Sequence, residues 1–195
     1  MPKARTAVLA EYFFYKLVST FLILLPRACL GVFTWVLGRL VYCLVGSARR
    51  VALTNLDIAF GVSKSASEKS TIAKRSLSSL ALTGIEMLQT VKHTTEWIQK
   101  KTVAHHFERL VEAQKKGLGV IVCAVHYANW EWIALWSAQN GCQVNAVVRL
   151  LDNPLIDREI EEIRSSRGVK ILPRKEAPRE GIRALKRNEF LALMV

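Results

Sequence analysis

Seven small or β-branched apolar residues, G-V-I-V-C-A-V at positions 119–125, stop abruptly at His126, and this run constrains the fold more than any other. A short valine-rich stretch without alternation has the composition of a strand buried on both faces, as in parallel sheets covered by helices. The period then changes. Residues 129–139 read as a helix, with Asn129 as N-cap, Glu131 in the first turn, and Ile133, Leu135 and Trp136 available to pack. His126 is therefore expected in a strand-to-helix turn.

That placement decides whether His126 and Glu131 can meet. Five residues along one continuous helix turn through about 500°, which leaves two side chains roughly 140° apart. With His126 before the helix and Glu131 in its first turn, the chain can fold back so that the carboxylate reaches the imidazole. The carboxylate then fixes the tautomer and stabilises the imidazolium as the ring takes a proton from a substrate hydroxyl. Spacing alone does not separate this pair from a histidine and a carboxylate that merely satisfy each other.

The first 50 residues carry seven basic residues and one acid. They contain two apolar runs, residues 12–25 and 28–48, separated by Pro26-Arg27. The second is 21 residues long with only Arg39 as a charge, enough to span about 30 Å of hydrocarbon or to lie in the interface. Glu11 and Lys16 make the first run a poor independent span, and a pair of buried core helices remains the third option. Arg49-Arg50 after the second run predicts that the chain beyond them stays cytoplasmic. The interrupting charges and the lack of an A-x-A site argue against a cleaved signal.

Beyond this segment, residues 62–67 read as a loop, and Ser65-x-x-Glu68 as a capping box opening a helix to about Gln89. Its stripe of Ile72, Leu77, Leu80 and Ile85 marks it as scaffold. Further helices are expected over about 104–116, 155–167 and 179–187, and strands over 143–150, 169–172 and 190–195. Strands alternating with helices predict an α/β fold with a mainly parallel sheet flanked by helices. The expected division is an anchoring helical segment, 1–50, and an α/β domain, 51–195.

Lys and Arg total 28 against 16 acidic residues, a net +12, so the surface suits an anionic partner: acidic lipid or nucleic acid. A mean hydropathy of +0.19 favours the membrane, and aromatic residues gathered beside His126 instead of among the basic ones argue against nucleic acid. Nine basic residues and two acids lie between Ile163 and Arg187, with Arg179, Arg183 and Arg187 forming one helical stripe. The stripe is either a solvated face or a rim for phosphates or an acidic protein. Arg149 differs, because it ends a strand at the sheet edge where open α/β folds place ligands.

The four cysteines, Cys29, Cys43, Cys123 and Cys142, show neither C-x-x-C spacing nor histidines at zinc-finger intervals, so no structural metal is expected, and a reducing compartment is. Cys123 shares a strand face with Ile121 and Val125 while His126 follows the other, which disfavours a thiol dyad. The adjacent His105 and His106 point apart on a helix and read as solvated.

The segment His126-Tyr127-Ala128-Asn129-Trp130-Glu131 matches the H-x4-D/E motif, and its N-W-E ending resembles the late lipid A acyltransferases within the glycerolipid acyltransferases. Three more blocks stand in family order. Arg50, Asn55-Leu56 and Ala59-Phe60 resemble the block after the anchor, Val148-Arg149 with Asn153-Pro154 the block after the motif, and Arg164, Gly168 and Ile171-Leu172-Pro173 the next. In that family the last strand leads into an Asp-Gln block, so this chain is expected to lack the C-terminal third.

The resemblance implies a membrane-bound O-acyltransferase moving a fatty acyl group from an acyl carrier protein thioester to a hydroxyl of a glycolipid such as a lipid A precursor. It implies His126 as base, Glu131 as its orienter, and Arg149, Arg164, Asn129 and Asn153 in substrate binding or support of the motif turn. It further implies no cofactor, because the thioester is already activated, and a place on the cytoplasmic face of a bacterial inner membrane. A lysophospholipid or mannosylated inositol lipid acceptor, and a non-catalytic lipid-holding role, remain open from the residues.

Overall fold

A computed structural model describes residues 4–194. Residues 1–3 of the expected anchor and residue 195 of the expected last strand lie outside the described residues. The elements in chain order are α1 (Arg5–Leu24), α2 (Arg27–Leu44), α3 (Gly46–Phe60), α4 (Ala66–Gln89), α5 (Thr95–Lys101), α6 (Phe107–Gln114), β1 (Val120–Ala124), α7 (Trp130–Gln139), β2 (Val144–Val148), α8 (Pro154–Ser165), β3 (Lys170–Pro173), α9 (Ala177–Lys186) and β4 (Phe190–Met194). The four strands form one sheet in the order β1-β4-β2-β3, every pairing parallel. The α/β architecture expected from the alternation is the one found.

Local signals place most of these elements. The Ser65 hydroxyl accepts the Glu68 amide at 3.3 Å and Glu68 Oε2 accepts the Ser65 amide at 2.8 Å, closing the capping box that starts α4. Helix α6 begins later than expected, because His106 takes a left-handed φ of 61° and so ends the preceding loop. His105 and His106 therefore precede that helix, with His106 Nδ1 3.3 Å from Glu108. Two helices, α3 and α5, answer to no expectation. The 21-residue apolar run is not one helix: it breaks at Val45 (φ −100°, ψ 83°), and α3 carries the chain through residue 50.

The main core joins Val120, Val144 and Phe190 of three strands to Leu135 of α7, with Phe107 and Leu110 of α6 on the same side. Helix α9 covers the other face over β4, β3 and β2. Strand β1 is at the sheet edge, where Leu185 of α9 packs on Gly119 just before the strand, yet Ile121 is 55% exposed and burial on both faces is not achieved there. A second core sets Met87 and Leu88 of α4 and Ile163 of α8 against Tyr15, Leu22 and Ile23 of α1.

Helices α1 and α2 are not core helices. Of their apolar windows, 6% and 17% of residues are buried. The crossing of α2 on α4 depends on Gly38, where an added Cβ would lie 2.6 Å from the Ser78 amide nitrogen and 2.8 Å from its Cα. Gly38→Ala should cost about 1–3 kcal/mol of stability in a denaturation series. Gly31→Ala, on the same helix with open space at its Cβ, should be neutral or mildly stabilising.

Candidate active site

Parallel strands bring their carboxyl ends to one edge of the sheet, and the residues just past those ends gather there. His126 follows β1, Arg149 follows β2 and Arg174 follows β3. All three line one cavity of about 830 Å³ with Trp130, Glu131 and Arg164. The rest of its wall is largely apolar: Val122 and Ala124 of β1, Ala146 of β2, Met87 of α4 and Ile160 of α8.

The turn from β1 to α7 holds His126 as the sequence predicts. Its backbone is tight: the Tyr127 amide donates to Val125 O at 2.8 Å, and Ala128 has a φ of +51°. Two residues of α4 hold this strained turn. Thr83 Oγ1 donates to Ala128 O at 2.9 Å, and Glu86 Oε2 accepts from Asn129 Nδ2 at 2.7 Å. Asn129 Oδ1 in turn accepts the Trp132 amide at 2.9 Å, capping α7. Arg27 Nη2, at the start of α2, stands 3.5 Å from Glu86 Oε1. Asn129 thus supports the turn from outside the cavity.

Sequence reading did not single out Thr83 or Glu86. The available signal was a threonine and a carboxylate one helical turn apart, embedded among core residues such as Ile85 and Met87.

The imidazole of His126 is exposed and makes no side-chain hydrogen bond among the described residues; it meets the Trp130 ring edge-on at 5.1 Å. Glu131 does not bond to it. Its two carboxylate oxygens accept from Arg164, Oε2 from Nε at 2.9 Å and Oε1 from Nη2 at 2.6 Å, with the side chains 14% and 21% exposed. The structure thus brings His126 and Glu131 to one cavity but gives the carboxylate an arginine partner from α8.

The remaining residues divide. Arg149 is 84% exposed at the cavity edge, 4.0 Å from Asp152. Asn153 is buried away from the cavity: it caps α8 and donates to Val8 O and Glu11 Oε2 at 2.9 and 3.0 Å. Below the motif helix, Trp132 Nε1 donates to Thr102 Oγ1 at 2.7 Å, and His93 stacks on Trp97 at 3.7 Å. Burial first, then the charges of Arg27, Lys92 and Arg167, hold His93 below the usual histidine range, so it is a neutral stacking partner at pH 7. Among the described residues, no group of three or more His, Cys, Asp or Glu could hold a metal ion.

An exposed imidazole at the mouth of an apolar cavity, with a fixed carboxylate and arginines beside it, suits proton transfer to or from a group on a long apolar substrate. No curated protein matches the chain. The family model for bacterial lipid A biosynthesis acyltransferases matches residues 2–195, the whole of the motif, cavity and apolar helices included. With H-x4-E at the strand-to-helix turn and that match over nearly its full length, the chain belongs to the bacterial lipid A biosynthesis acyltransferase family.

Proposed function

We propose that this acyltransferase is membrane-bound and moves a fatty acyl group from an acyl carrier protein thioester to a hydroxyl of a lipid A precursor. The observation that carries the reading is His126 at the mouth of the roughly 830 Å³ apolar cavity, a volume within the range of about 300–1,000 Å³ usual for ligand sites. The acyl chain lies in the cavity with its carbonyl at the mouth. His126 takes the proton of the acceptor hydroxyl as the oxygen attacks the thioester carbon. The C–S bond then breaks, and the departing thiolate receives that proton from the imidazolium. Glu131, fixed by Arg164, holds α8 against the first turn of α7 and so keeps the wall beside His126 in place. Arg149 and Arg174 meet phosphate on the donor arm or the acceptor. The thioester is already activated, so the reading calls for no cofactor.

Glu86 enters as a positioning residue. Glu86→Ala removes the acceptor that Asn129 Nδ2 uses at 2.7 Å and frees the turn carrying His126. The expected result is a fall in kcat of about ten- to a hundred-fold with KM little changed, since misplacement by a fraction of an ångström is felt in the transition state. Glu86→Gln, which still accepts from Asn129, should recover most of the rate; equal loss in both variants would deny the positioning role.

The functional reading is tested by offering the vesicle-bound protein matched acyl thioesters of carrier protein and of coenzyme A. Acceptors are a tetra-acylated lipid A precursor, a lysophospholipid and a mannosylated inositol lipid. The expected product is the precursor gaining one ester-linked chain from the carrier protein donor. Acylation of one of the other two lipids alone would overturn the acceptor assignment, and equal use of coenzyme A the donor assignment.

A further inference from the structure

Helix α1 is long and apolar enough to cross a bilayer, yet one flank of it is bonded to the α/β body from end to end. In its early turns Asn153 Nδ2 donates to Val8 O at 2.9 Å. In the middle, Tyr12 Oη and Lys16 Nζ donate to the two oxygens of Glu159 on α8 at 3.1 and 3.0 Å. Near its end, Leu22 and Ile23 pack with Ile160 and Ile163 of α8, and Gln89 Nε2 of α4 donates to Leu22 O and Leu25 O, both at 2.9 Å. Helices α1 and α8 thus run side by side, and the outer side of α8 carries exposed Arg158, Glu161 and Glu162. A transmembrane α1 would either drag those charges into hydrocarbon or tear every one of these bonds.

The opposite flank of α1 has the reverse character. Phe13, Phe14, Leu17, Phe21 and Leu24 are 54–73% exposed. Helix α2 continues this surface. It buries Leu30, Thr34 and Gly38 toward α4 while leaving Val32, Trp35, Leu40 and Leu44 outward, and Phe33 meets Phe21 across the pair at 6.0 Å. Arginine marks the border: Arg39 lies over the Trp35 ring at 3.6 Å, and exposed Arg5, Arg49 and Arg50 stand near the helix ends. An apolar flank bordered by aromatic and cationic side chains, on helices whose other flank is docked to a polar body, fits the headgroup and acyl boundary of an anionic leaflet.

We propose that α1 and α2 lie in one leaflet of a lipid bilayer by this flank and do not cross it. The cavity adjoins α1, because Met87 and Ile160 line it and also belong to the core on which Tyr15, Leu22 and Ile23 of α1 pack. Leu150 and Leu151, both nearly half exposed, precede the Asn153 contact with α1, and Leu151 lines the cavity. A lipid acceptor therefore reaches His126 without leaving the membrane surface; this last step rests on the acyltransferase reading, whereas the mode of insertion does not.

The test places single nitroxide labels at positions 14, 17 and 21 on α1 and 161 on α8. The full chain, with its cysteines replaced by serine, is bound to vesicles of zwitterionic and anionic phospholipid, and label depth is read by oxygen and nickel-chelate collision. The expected result is one shallow depth for the three α1 labels, roughly 5–10 Å below the headgroups, and a label at 161 in water. Depths that progress through the bilayer midplane, or α1 labels wholly in water, would each overturn the proposal. The double variant Leu17→Glu, Phe21→Glu should weaken vesicle partition by at least about ten-fold, and unchanged partition would count equally against it. The same depths in His126→Ala, where no transfer occurs, keep this result independent of the catalytic one.

Discussion

Replacing His126 with alanine should lower kcat for acyl transfer by about 10²- to 10⁴-fold, the usual contribution of a positioned general base, while leaving the thermal midpoint nearly unchanged. The two halves of that expectation come from one geometry. The ring is exposed and makes no side-chain hydrogen bond among the described residues, so little of the fold depends on it. Its one aromatic contact, edge-on to Trp130 at 5.1 Å, is worth about 1 kcal/mol at most sites. KM for the acyl donor should hold, because the apolar cavity wall is untouched. His126→Asn keeps the polarity but cannot take a proton near neutral pH and should be as inactive as alanine. Initial rates together with a melting curve check both halves, and a large loss of stability with modest loss of rate would make His126 a structural residue.

The second large effect belongs to Arg164. Its guanidinium forks onto Glu131 at 2.9 and 2.6 Å, and the carboxylate it holds is 14% exposed. Arg164→Ala strands a largely buried charge, a change that should cost about 2–4 kcal/mol of stability and a large part of the activity. Arg164→Lys keeps the charge without the two-pronged geometry and should fall between. The double variant Glu131→Gln, Arg164→Met should recover most of the stability, since a neutral pair of similar volume avoids the stranded charge, yet remain slow. Denaturant midpoints and rates on the four proteins separate the roles. If Arg164→Ala stayed stable and only raised KM for a phosphate-bearing substrate, the substrate contact implied by family resemblance would be the better description.

Arg164 also shows where the sequence stops being readable. The elements around the motif come from local rules: an unbroken apolar run makes β1, Asn129 caps α7, and the Ser65 and Glu68 pair opens α4. Family resemblance anticipated residues that gather at the cavity, namely His126, Glu131, Arg149 and Arg164. Partner choice was not legible. Glu131 lies five positions from His126 but bonds to a residue 33 positions away, because α8 passes the first turn of α7 in the folded chain. Asn153 looked like a binding residue and is buried as a cap and a clasp on α1. Glu86 was hidden inside a helix that reads as scaffold, and its role exists only once α4 lies against the turn after β1. The break at Val45 carried no proline to announce it, and the outward flanks of α1 and α2 depend on which side α4 and α8 occupy.

If the cavity beside His126 receives the acyl chain that is transferred, a reactive group at the far end of that chain must touch the cavity wall. Photo-crosslinking with an acyl carrier protein thioester whose chain ends in a diazirine, with mapping of the labelled peptides, reads this contact. Label on the wall, at Met87 of α4 and Ile160 of α8, is the predicted result, with competition by unmodified thioester. Label confined to the outward flank of α1, at Phe13 and Leu17, with the cavity wall clean, would contradict it.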